Sequence, residues 1–116
     1  MTDPDAPMTA LVEYQVRADE TTVDEWLAVW QERAEDAFEA EPDTITYAAA
    51  VSLDDPSCLF FCEHYENGRA GLKFHMERPS HATLDETMGA RRMTKRRVMS
   101  TGFYDLPDFG FRGRGK

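Results

Sequence analysis

The chain of 116 residues has little lysine, cysteine or histidine and no long apolar run, and each shortage excludes something. No run approaches the roughly 18 apolar residues that cross a bilayer. The longest stretches, such as Tyr47 to Val51, are strand-sized, so no membrane partner is expected. The opening MTDPDAPMTA is acidic and lacks a positive segment followed by an apolar one, so no secretory signal is visible and a cytoplasmic location is expected. The two cysteines, Cys58 and Cys62, fall in one strand-like run, CLFFCEHY. Four residues of strand separate their Cα atoms by about 13 Å, against the roughly 4.4–6.8 Å that a disulfide needs. They read as reduced structural thiols. The three histidines form no zinc spacing, and no nucleotide motif is present, so neither a metal nor another cofactor is expected.

Basic residues are scarce where most of the chain lies. Residues 1–68 hold seventeen acids and two bases, Arg17 and Arg33, while residues 69–116 hold eleven bases and five acids. The formal net charge is −9. A general nucleic-acid binder needs a basic face to neutralise phosphate, so nucleic acid is not expected as a partner. The run Arg91, Arg92, Lys95, Arg96 and Arg97 is basic but carries no interleaved aromatics. Compensation of a helix C-terminal dipole and pairing with an acidic helix account for it more simply.

What is present suffices for a core: 41% of residues are hydrophobic and 11% aromatic. Residues 1–8 read as a disordered leader, with two Pro and two Asp. Thr9–Arg17 alternates like a strand, with Val12, Tyr14 and Val16 on an apolar face and Leu11, Glu13, Gln15 and Arg17 on the other. Thr22, with Glu25 three residues on, forms a capping box. It opens a helix whose stripe is Val23, Trp26, Leu27, Trp30, Ala34, Ala37 and Phe38. Pro42 and Asp43 end that helix. Thr44–Leu53 and Cys58–Tyr65 read as two strands of a hairpin around the turn Asp54–Ser57. A helix of about two turns over Asn67–Met76, a further helix over 81–96 capped by Ser80, and a strand over Val98–Leu106 follow. Residues 107–116, rich in Pro, Gly and Phe, read as an extended arm packed on a neighbouring subunit.

The order β-α-β-β-α-α-β is a split β-α-β-β-α-β unit with an extra short helix. It predicts a ferredoxin-like α+β sandwich over residues 9–106, with helices on one face of an antiparallel sheet. The other face must also be covered. A second copy placed sheet to sheet would do so, giving a homodimer, a dimeric α+β barrel, to which Val12, Tyr14 and Val16 could contribute. Trp26 and Trp30 stand four apart on one helix face. They read as core, and at the same time as a wall for a planar polycyclic ligand.

The order of elements, Glu41-Pro42 at the end of the first helix, and the DDPS turn leading into LFFCEHYE resemble the antibiotic biosynthesis monooxygenase family. Ala70, Leu72 and His75, followed by Pro79-Ser80-His81, are similar to that family's A-L-x-x-H-x-x-S-P-H segment, and Tyr65 stands at its usual Trp position. The resemblance implies that Leu59, Phe61, Glu63 and Tyr65 share the strand face that looks toward the helices and lines a substrate cavity. It implies a cofactor-independent monooxygenase that deprotonates an electron-rich aromatic substrate (an anthrone, quinol or polyketide type), which then reacts with O2. On that reading His75, Tyr65 and Glu63 are the catalytic residues, and Gln15, Trp26, Trp30 and Phe61 contact substrate. His75 would take the phenolic proton and Tyr65 would bond the substrate oxygen. Plainer roles stand beside these: Glu63 paired with an Arg of the third helix, and His75 at a helix end against the dipole. A non-catalytic small-molecule-binding or structural dimeric module of the same fold is the alternative function.

Overall fold

The computed structural model describes residues 3–111 together with 113 and 114. The elements are β1 (Met8–Val16), α1 (Val23–Ala40), β2 (Thr44–Val51), β3 (Cys58–Tyr65), α2 (Arg69–Glu77), α3 (Pro79–Ala90) and β4 (Thr94–Tyr104). The strands form one antiparallel sheet in the order β2-β3-β1-β4. With α1 and α3 packed beside each other, this is the ferredoxin-like α+β arrangement, with α2 as its extra short helix.

Thr22 sits in extended backbone, and its hydroxyl accepts the Glu25 N–H at 3.1 Å, so the capping box forms as the spacing predicts. The buried residues of α1 are Trp26, Trp30, Arg33 and Ala37, at spacings of four, three and four. Phe38, expected on this stripe, is 89% exposed. One residue beyond Ala37 is a rotation of about 100° around the helix, which turns it away from the sheet. Period two along β1 and β3 sets Val12, Tyr14 and Val16 beside Leu59 and Phe61, packed with Trp26, Trp30 and Met93. Val12, Tyr14 and Val16 are thus covered by the chain's own helices, and the expectation that they serve a dimer face is corrected. The uncovered face carries Leu11, Gln15, Phe60 and Cys62 instead.

Several local boundaries differ from expectation for physical reasons. β1 opens at Met8, which is buried, and residues 3–7 are already held. Arg69 donates its backbone N–H to the Pro4 carbonyl at 2.9 Å, and Asp105 donates to Pro7 at 3.0 Å. The stretch read as a disordered leader is therefore seated from residue 3, and Met1 and Thr2 lie outside the described residues. α3 begins at Pro79, which needs no N–H at the first helical position. Arg78 rather than Ser80 occupies the cap, and the Ser80 hydroxyl bonds Asp36 at 2.5 Å. α3 ends at Ala90, so Lys95, Arg96 and Arg97 stand on β4 instead of at a helix end. Arg91 alone of that run reaches α1 among the described residues, 3.5 Å from Glu25. In the C-terminal segment Phe109 and Phe111 are exposed, and Arg112, Gly115 and Lys116 lie outside the described residues. Cys58 and Cys62 are free thiols. Among the described residues no helix is long and apolar enough to cross a membrane.

Candidate functional site

A cavity of about 850 Å³ lies between the sheet and the helices. Its aromatic wall follows from the facing stripes of α1, β1 and β3. The Phe61 ring centroid is 5.4 Å from Trp26, 5.1 Å from Trp30 and 6.0 Å from Tyr14, all tilted or edge-on contacts. Trp26 is oriented by its indole N–H, which donates to the Thr94 hydroxyl at 2.9 Å. Trp30 stacks on Tyr47 of β2 at 4.8 Å. Trp26, Trp30 and Phe61 are thus core and cavity wall together.

Glu63 is placed on this wall by the alternation of β3. Burial pushes its carboxyl above the ordinary glutamate value, against the pull of the Tyr65 hydrogen bond and of Arg33. The Tyr65 hydroxyl donates to Glu63 Oε1 at 2.5 Å. Tyr65 itself is fully buried, and burial beside Glu63 drives its phenol far above its usual range. Its hydroxyl is engaged from behind the wall, so the expected contact of Tyr65 with a substrate oxygen is corrected: Tyr65 orients Glu63. The partner of Glu63 is this phenol and not an arginine of α3.

His75, near the end of α2, lines the same cavity and is 2% exposed. Its Nε2 stands 3.8 Å from Glu63 Oε1, beyond hydrogen-bond range. Behind it lie two buried charges that the sequence reading does not include, Arg33 of α1 and Glu41 at the end of α1. His75 Nδ1 is 2.7 Å from both Glu41 Oε1 and Arg33 Nη2. The guanidinium donates instead to the His75 carbonyl at 2.8 Å and forms an ion pair with Glu41 Oε2 at 2.7 Å. Glu41 Oε2 lies off the hydrogen-bond line and is held by charge. A carboxylate oxygen 2.7 Å from a bare nitrogen would be repelled, so we assign the Nδ1 proton to the Glu41 contact. That leaves Nε2 as a lone pair facing Glu63 and the cavity. Burial and the Arg33 charge push His75 down to about 4, against Glu41, so the ring is neutral near pH 7. Burial also pushes Glu41 up, but the bonds from His75, Arg33 and Thr44 outweigh it and hold its carboxyl below the ordinary value.

Gln15, expected as a substrate contact, does not reach the cavity. Its parity on β1 is opposite to Tyr14; its amide donates to Ser57 at 3.4 Å and its carbonyl accepts from Arg96 at 3.1 Å. The signal for Arg33 was available in its position. It is one of two bases in the acidic stretch and falls between Trp30 and Ala37 on the buried stripe. Among the described residues no group of three or more His, Cys, Asp or Glu is placed to hold a metal ion.

Residues 7–86 match the family model of antibiotic biosynthesis monooxygenases. The chain belongs to that family. No curated protein matches it. A solved protein from Nitrosomonas europaea, provisionally named an antibiotic biosynthesis monooxygenase, has a TM-score of 0.76 at 20% identity, covering 95% of this chain and 100% of its own. One from Caulobacter crescentus with the same provisional name gives 0.77 at 16% identity, covering 89% and 92%. A Mycobacterium tuberculosis protein gives 0.74 at 20% identity, covering 90% and 100%. At these identities the structural likeness concerns the fold alone. Family membership brings a monooxygenase-type fold.

Proposed function

We propose that this protein is a cofactor-independent monooxygenase of an electron-rich aromatic substrate, of anthrone, quinol or polyketide type. The observation that supports it most is the pairing of Glu63, a carboxylate with a raised pKa, with the neutral His75 in an aromatic-walled cavity. Such a substrate has an acidic O–H or activated C–H. Once deprotonated it can pass an electron to O2 itself, so the protein need supply only a base, a dry aromatic site and orientation. At an activated methylene the balance closes with one O2 consumed, one carbonyl formed and one water released.

The geometry supports the following roles. Glu63 faces the cavity and accepts the proton. Tyr65 fixes its carboxylate, and His75 Nε2, 3.8 Å away, is the next acceptor for that proton, with Glu41 at Nδ1 stabilising the imidazolium formed when it passes on. Trp26, Trp30 and Phe61 hold the planar ring. A homodimer through the uncovered sheet face completes the reading. Leu11, Phe60, Met99 and Phe103 share that face by register, and Phe103 is 54% exposed. Oxygen consumption across a panel of anthrones, naphthols and quinols tests the proposal. Glu63→Gln is expected to lower turnover about 10²-fold or more, the scale of general-base loss. Tight binding of panel members without oxygen uptake would favour the non-catalytic binding module instead.

A further inference from the structure

Three arginines line the cavity wall toward the end of β1 remote from Glu63: Arg17, Arg92 and Arg97. They come from three places, the end of β1, the end of α3, and β4. Among the described residues none of the three forms an ion pair. The one acid beside them on the lining, Asp85, lies 3.4 Å from His81. The Nε of Arg17 is buried without a hydrogen-bond partner. In a chain of net charge −9, three unneutralised guanidiniums facing one cavity are a local reversal of sign.

Arg92 adds a second, independent observation. It has φ +53, the left-handed region that favours glycine. The reason is the way α3 stops. Met93 donates its N–H to the Met88 carbonyl at 3.0 Å and Arg92 donates to Gly89 at 3.2 Å, the two bonds of a Schellman motif with Arg92 at the left-handed position. A Cβ-bearing residue at such a place carries a conformational cost, and such costs gather where the side chain is used. Arg92 lies on the cavity lining.

We propose that Arg17, Arg92 and Arg97 form an anion subsite that takes the carboxylate of a carboxyl-bearing aromatic substrate, with the acidic O–H or C–H end of that substrate at Glu63 and His75. This rests on the proposed function for its second half only. The register sets the span. Arg97 pairs with Tyr14 and Glu63 pairs with Ala10, four residues apart on β1, about 13 Å along the strand. A long arginine side chain reaching inward shortens that to the length of a planar molecule of two or three rings. Guanidinium suits the task because it presents a planar fork to a carboxylate and stays charged at any working pH.

The test is calorimetric titration of the full chain with 6-hydroxy-2-naphthoate and with its methyl ester, which has the same rings and no charge. The acid is expected to bind about tenfold or more tightly than the ester at low salt, the scale of a charge-assisted bond, and to lose that preference as salt rises. Arg92→Gly removes the guanidinium from a backbone site that glycine fits. Its melting temperature is expected to hold or rise while the preference for the acid falls several-fold. Arg17→Gln with Arg97→Gln is expected to abolish the rest of the preference while leaving ester affinity within about twofold. Equal affinity for acid and ester in the wild type, binding of neither, or a preference that survives all three substitutions would overturn the subsite. Oxygen uptake on the anthrone, naphthol and quinol panel is read separately. Arginine-dependent binding with no uptake on that panel would overturn the oxygenase reading and leave the subsite standing. Uptake on the panel with no acid preference would do the reverse.

Discussion

Replacing Arg33 by methionine tests the buried charge cluster behind His75. Arg33 is 1% exposed and Glu41 2%, and Arg33 Nη2 lies 2.7 Å from Glu41 Oε2. Removing one partner of such a pair leaves an uncompensated buried charge, a loss of about 3–5 kcal/mol. At about 4 °C per kcal/mol for a domain of this size, the melting temperature should fall by roughly 12–20 °C near pH 8. The loss should shrink on acidification, and the sign can be worked from His75. In the wild type its folded value is held down to about 4, below the ordinary 6.5. The unfolded chain therefore takes up a proton between those values that the folded one refuses, and stability falls as pH drops through that window. The shift corresponds to about 3 kcal/mol, partly offset by Glu63, whose raised value acts in the opposite direction. Without Arg33 burial still depresses His75, but the guanidinium charge is gone while Glu41 remains. His75 then protonates at higher pH when folded and pairs with Glu41, so the gap between variant and wild type narrows toward pH 5. Urea denaturation followed by circular dichroism at pH 8 and pH 5 measures both effects. Arg33→Met combined with Glu41→Gln should recover at least half the loss. A single-variant loss below about 1 kcal/mol, an equal loss at both pH values, or a double variant no better than the single would refute the reasoning.

Tyr65→Phe removes the bond that lowers the Glu63 carboxyl, so the acid limb of the pH–rate profile should move upward, with about 1 kcal/mol of stability lost in thermal denaturation. Gly68→Ala is expected to cost at least about 2 kcal/mol and to raise hydrogen exchange at Arg69, because Gly68 has φ +62 and a Cβ there would strike the Pro4 and Ala6 carbonyls. Phe60→Glu, on the uncovered sheet face, should convert the proposed homodimer to a monomer of 13.2 kDa in sedimentation, and a wild type that already sediments as a monomer would contradict the dimer.

The parts of the fold legible in the sequence are those fixed by local rules. The Thr22 cap, the tryptophan stripe, the alternation that puts Glu63 and Phe61 on one strand face, and the DDPS turn all follow from local sequence, while the direction of that face comes from the family resemblance. The end of α3 was not legible, because the residue at its left-handed stop is Arg92 where the usual signal is glycine. With that stop unmarked, Lys95 and Arg96 read as a continuing helix. At the site, the cavity wall could be read from facing stripes, but the partners of Glu63 and His75 could not. Arg33, Glu41 and His75 come from α1, its end and α2, and their meeting depends on how the helices pack. Tyr65 was on the right face, yet its hydroxyl is taken by its strand neighbour Glu63 two residues away, which alternation alone does not reveal. Gln15 shows the opposite error: a polar residue on β1 belongs to the uncovered face.

The central claim is that Glu63, set beside a neutral His75, drives oxygenation of a bound aromatic without a cofactor. Oxygen uptake on an anthrone by chelator-treated protein, with the buffer rate subtracted, measures this directly for wild type and Glu63→Gln. Uptake by the wild type is expected, with a loss of about 10²-fold or more in the variant, whose melting temperature stays within a few degrees. Uptake that vanishes with the chelator, or that persists undiminished in Glu63→Gln, would contradict it.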